Sequence, residues 1–115
     1  MINKDTISML KQIGQRVEKP NYFAQILNLF VEQSDTTLTD LSEAVKVKDV
    51  LEVKHFAHKL KGSAQSIGAI DLEEYCGRLQ DACEISPADS HQFEDLFTSV
   101  NKAYKDSVVL LKAEI

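Results

Sequence analysis

The sequence predicts an all-α protein: an antiparallel, up-down four-helix bundle with an additional short N-terminal helix. Apolar residues recur at intervals of three and four along the whole chain, the helical period. Four Gly and two Pro in 115 residues leave too little turn chemistry for the closely spaced turns of a β-sandwich or barrel. Each gap between the apolar stripes is only a few residues long, so successive helices must run antiparallel. The length suits a single domain over residues 1–115, large enough to bury one core.

Ile7, Leu10, Ile13 and Val17 form a short leading stripe. Pro20 is expected in the first turn of the second helix, where its missing N–H would have been unpaired anyway. Phe23, Ile26, Leu27, Phe30, Leu38, Leu41 and Val45 line that helix. Ser34, Thr36, Thr37 and Thr39 thin its pattern and read as an imperfect core stripe. Lys46, Lys48 and Asp49 then read as a solvated turn. Asp49 with Glu52 has capping-box spacing ahead of the third stripe, Val53, Phe56, Ala57, Leu60, Ala64 and Ile67. Gly68 stands where that helix should stop, in a position that favours a left-handed backbone. Asp71 with Glu74 repeats the capping spacing before Leu72, Tyr75, Cys76, Leu79, Ala82 and Cys83. Ser86-Pro87 is expected to end the fourth helix and open the fifth, lined by Phe93, Leu96, Phe97, Val100, Tyr104, Val108 and Leu111. Tyr22 and Tyr104 fall on or beside apolar stripes and are expected to pack.

Thirteen Lys and Arg against 18 Asp and Glu give a net charge of −5. Such a chain has no electrostatic pull toward nucleic acid or anionic lipid. No apolar run approaches the roughly 20 residues of a membrane span, and Met1 to Lys11 lacks a signal peptide's apolar stretch. A cytoplasmic protein is the expectation. On a helix, Cys76 and Cys83 lie two turns apart, about 10 Å along the axis and beyond disulfide reach. They read as small buried thiols, and a zinc site would want more ligands.

The third helix carries the functional information. On a helical wheel Val53, Ala57, Leu60, Ala64 and Ile67 gather toward the core, and His58 points nearly the opposite way. Lys54, His55, Lys61, Gly62 and Gln65 share its outward stripe. Gly62 is the anomaly, because a mid-helix glycine costs about 1 kcal/mol relative to alanine. One turn beyond an exposed imidazole, a missing side chain gives a phosphate or a partner surface room to approach. The pair His55 and His58 has the spacing of two metal ligands, but that stripe offers no carboxylate, so no metal site is expected. His91 is expected at the surface.

The run Ala57-His58-Lys59-Leu60-Lys61-Gly62-Ser63-Ala64, continuing through Ile67-Gly68-Ala69, resembles the signature of histidine-containing phosphotransfer (HPt) domains. The resemblance implies a phosphorelay intermediate, in which His58 accepts a phosphoryl group from a receiver-domain aspartyl phosphate and passes it to another receiver. Lys61 then occupies the position of the phosphate-neutralising lysine, and Gln80 that of a phosphate-contacting glutamine. Gly62, Gln65, Lys54 and His55 fall on the implied docking face. Some relatives carry a basic residue a turn beyond the glutamine; here Glu84 stands near it, so no second cation is carried over. The implied partners are response-regulator receivers, including one of a hybrid sensor histidine kinase, with the receiver supplying Mg2+ and this chain no cofactor of its own.

No phosphate-binding loop is present in the sequence, so a phosphocarrier is expected rather than an autokinase. A free-standing protein is the expectation from Met1 leading almost directly into the first helix, and the resemblance implies a monomer. Two other readings stay open: a helical binding module with an incidental histidine, and the substrate domain of a larger chemotaxis-type kinase.

Overall fold

Asn3 starts the first helix, α1 (Lys4–Arg16), its side-chain oxygen accepting from the Asp5 and Thr6 N–H groups at 3.0 and 3.2 Å. The computed structural model describes residues 1–85 and 90–115, leaving the expected break at Ser86-Pro87 outside the described residues. Val17 caps α1 at its C-terminal end and is 50% exposed, so it leaves the stripe assigned to it.

The second helix, α2 (Tyr22–Lys46), begins at Asn21, so Pro20 precedes it instead of lying in its first turn. The reversal after α1 is longer than expected. Glu18 adopts φ 56°, Lys19 N–H bonds Gly14 O at 2.8 Å, and Tyr22 N–H bonds Lys19 O at 3.1 Å. Asp49 caps α3 (Val50–Ile67), its carboxylate accepting from Glu52 N–H at 3.2 Å. Asp49's own N–H bonds Ala44 O at 3.0 Å, which leaves the reciprocal half of the capping box unmade. Gly68 ends α3 at φ 83°, and Ala69 N–H reaches back to Ala64 O at 2.9 Å.

The cap expected from Asp71 is not made. Ala69, bridged to Ile2 on the N-terminal segment, holds the N-cap position of α4 (Ile70–Glu84). Asp71 therefore falls inside the first turn, 2.5 Å from the terminal amine, and Glu74 bonds Arg78 at 2.7 Å. The last helix is α5 (Ser90–Lys112).

Helices α2, α3, α4 and α5 each pack on their sequence neighbours, and α5 returns to α2, closing a four-membered ring without diagonal contacts among the described residues. The α1 helix packs on α2 and α3. The core runs along the ring's interior through Leu27, Leu41, Val53, Leu60, Ile67, Leu72, Leu79, Phe93, Val100 and Leu111, each at most 1% exposed. Ser34 and Thr37 are buried as parts of the α2 stripe. Thr37 donates to Gln33 O at 2.9 Å, whereas Ser34 Oγ has no partner among the described residues. Tyr104 closes α5 onto α2, with its ring centroid 5.9 Å from that of Phe30 and its hydroxyl donating to Asp35 Oδ1 at 3.2 Å. Burial, reinforced by the Asp35 carboxylate, pushes the Tyr104 phenol up to about 12. Cys76 is fully buried, and burial pushes its thiol up to about 12; Cys83 is only partly buried, contrary to expectation. Among the described residues no helix is long and apolar enough to cross a membrane.

Candidate functional site

The core-facing residues of α3 fix what its other face shows. With Val53, Ala57, Leu60, Ala64 and Ile67 at most 1% exposed, the helix cannot rotate without pulling apolar surface into water. His58 is exposed on the opposite side, as the wheel places it. Its ring does not stand alone. The Gln80 carboxamide crosses from α4 to lie 3.1 Å from His58 Nδ1. Nδ1 is thereby engaged, and Nε2 is the ring nitrogen left for chemistry. The amide nitrogen makes this contact and can only donate, so Nδ1 accepts its N–H and the neutral ring carries its proton on Nε2. Gln80 thus contacts the imidazole itself, at the position where the resemblance implies a contact to phosphate.

Lys61 is half-buried and extends across α4 at Gly77, where a Cβ would stand 3.8 Å from its ammonium nitrogen. It reaches far enough inward to oppose, weakly, the burial that raises the Cys76 thiol. A Cβ added at Gly62 would meet nothing within 4 Å, so packing inside the bundle does not call for glycine there.

Leu51, Lys54, His55, His58 and Gln80 line one open depression between α3 and α4. Lys54 forms an ion pair with Glu84 at the end of α4, and that bonded carboxylate raises the Lys54 ammonium. His55 packs the edge of its ring on Phe56, centroids 5.0 Å apart. Gln65 is exposed on the same face but does not line the depression; His91 is exposed at the start of α5.

Three features of this site escaped the sequence reading. Gly77 carried a legible signal, being a second mid-helix glycine one turn before Gln80. Leu51, 77% exposed, lies off the apolar stripe one turn before His55, another legible sign. The pairing of Lys54 with Glu84 had none, because it depends on the register between two helices.

Residues 25–113 match the family model described as Hpt domain. The chain belongs to that family. This Hpt chain is 36% identical over 72 residues to histidine-containing phosphotransfer protein 1 of Arabidopsis thaliana, an alignment covering 61% of this chain and 47% of that protein. It is 26% identical over 86 residues to phosphorelay intermediate protein YPD1 of Candida albicans, covering 75% of this chain and 47% of that one. The chain thus spans about half the length of these relatives. Its fold superposes on the crystal structure of histidine-containing phosphotransfer protein B from Pseudomonas aeruginosa with a TM-score of 0.84, at 22% identity, over 98% of this chain and 92% of that one. The corresponding protein MtHPt2 of Medicago truncatula gives 0.80 at 22% identity, over 98% and 78% of the two chains. Both structural likenesses show the shared helical bundle.

Proposed function

We propose that this Hpt domain is a phosphorelay intermediate that carries a phosphoryl group on His58 Nε2 between the aspartates of response-regulator receivers. The observation that carries the reading is the pairing of an exposed imidazole, its Nδ1 engaged by Gln80, with a lysine on the same helix face. The relatives' names, a phosphotransfer protein and a phosphorelay intermediate, support it.

In the accepting step the P–O bond of the aspartyl phosphate breaks as the P–Nε2 bond forms. The receiver's carboxylate leaves, the Nε2 proton passes to water, and Nδ1 goes on accepting from the Gln80 amide nitrogen. The donating step reverses this at a second receiver. Phosphoryl transfer through a loose transition state asks mainly for in-line placement and charge neutralisation, so a nucleophile and a lysine suffice on this side. Lys61 supplies the cation, Gly62 admits the incoming surface, and Gln65, Lys54 and His55 border it. The receiver brings Mg2+. The domain works as a cytoplasmic monomer, and the phosphate comes from a partner rather than from ATP.

Incubation with a phosphorylated receiver tests this. His58→Gln, a substitution at an exposed position, is expected to keep the fold by circular dichroism and lose all label. Lys61→Ala is expected to slow transfer about tenfold, the scale of one charge-assisted hydrogen bond. Full labelling of the His58 variant would overturn the proposal.

A further inference from the structure

Two lysines flank His58 along α3, Lys61 one turn after it and Lys54 one turn before, both within side-chain reach of a group carried on the imidazole. They are held differently. Lys61 lies against Gly77, which has no side chain to compete for it. Lys54 is paired with Glu84, in a rim position where the two side chains remain 45% and 60% exposed and free to rearrange. Lys54 lines the same depression as His58 and Gln80. A phosphoryl group brings nearly two negative charges and three strong acceptor oxygens, a better partner for an ammonium than one carboxylate.

We propose that Lys54 is a switchable second phosphate ligand and Glu84 its resting partner: phosphorylation of His58 draws the Lys54 ammonium off Glu84 and onto the phosphoryl oxygens. This rests on the phosphorelay reading and adds a regulator to it. The cost of parting Lys54 from Glu84 is subtracted from the stability of the phosphohistidine. The pair therefore sets how readily the group is passed on, and a site whose α4 offers an acid where a cation could stand still gains a second cation from α3. The charged or titratable groups on this face are Lys54, His55 and Lys61 from α3 and Cys83 and Glu84 from α4, with Asp81 beside Gln80.

Phosphoramidate can load His58 without any receiver: its P–N bond breaks as the P–Nε2 bond forms, and the imidazole proton leaves with ammonia. Phosphorus NMR then follows the second ionisation of the phosphohistidine against pH, in a His55→Asn background that leaves His58 the one imidazole lining the depression. Lys54→Met is expected to raise that ionisation, and Glu84→Gln to lower it, each by about 0.2 to 0.7 of a pH unit, the range of an exposed ion pair. The decisive arm is the double variant. Glu84 acts through Lys54, so Glu84→Gln is expected to shift the ionisation much less once Lys54 is methionine. Equal shifts with and without Lys54, or no shift on removing Lys54, would overturn the inference while leaving the relay role standing. A His58 that loads from neither phosphoramidate nor a receiver would take down both.

Discussion

Gly62 and His58 stand one turn apart on α3, where packing inside the bundle gives no reason for a glycine. A Cβ at Gly62 would meet nothing within 4 Å, so alanine there should fit and stabilise the fold by about 0.5 to 1 kcal/mol. Gly62→Gln is also expected to raise the melting temperature while slowing transfer from a receiver several-fold, because the longer side chain fills the approach to His58. A Gln variant that is both more stable and fully active would remove Gly62 from the docking surface. His58, Lys61 and Gly62 were legible as residues because they sit in one short run. The use made of Gln80 was not. The sequence placed it near the site, but only the packing of α4 on α3 brings its amide within 3.1 Å of Nδ1.

The α3–α4 pair carries the proposed site, and its two glycines have different surroundings. Gly77 gives the Lys61 side chain a path across α4, with the ammonium 3.8 Å from where a Cβ would stand. Gly77→Leu is expected to strengthen α4 through helix propensity, by up to about 1 kcal/mol, yet to push Lys61 from its resting place and slow phosphotransfer. Stopped-flow transfer rates beside thermal melts separate the two effects; an unchanged rate would free Lys61 from any dependence on Gly77. The helix boundaries show how far local spacing can be read. Asp49 and Asp71 have the same relation to a following Glu, but only Asp49 caps, because the bridge between Ile2 and Ala69 sets the start of α4 one residue before Asp71. Pro20 misses the first turn of α2 for a similar reason, since the reversal around Glu18 extends to Asn21.

Across the whole molecule, the order of the helices followed from stripe length and short connections, whereas the closure of α5 onto α2 depends on partners far apart in sequence. Tyr104 and Asp35 form one hydrogen bond across that closure, and their pairing has a pH signature. The fold raises the phenol to about 12, above the roughly 10 of an unfolded chain, so it favours the protonated form. That contribution is complete below pH 10 and drains away as pH rises through 12. Unfolding free energies measured by denaturant are expected to fall across this interval, and Tyr104→Phe should flatten the fall. An equal decline in the Phe variant would assign the alkaline sensitivity elsewhere. At neutral pH the same variant should cost about 1 kcal/mol for the lost hydrogen bond to Asp35. The bundle so closed is a rigid mount: the buried stripe of α3 fixes the face on which His58 stands, and α4 fixes the ring.

The central claim is that His58 itself carries the phosphoryl group. The measurement closest to it is mass-spectrometric mapping of the wild-type chain after exposure to a phosphorylated receiver, with the acid lability of the modification followed in parallel. An acid-labile phosphate on His58 and on no other residue is the result the structure leads to. A phosphate on His55, His91 or an acid-stable site, with His58 unmodified, would contradict it.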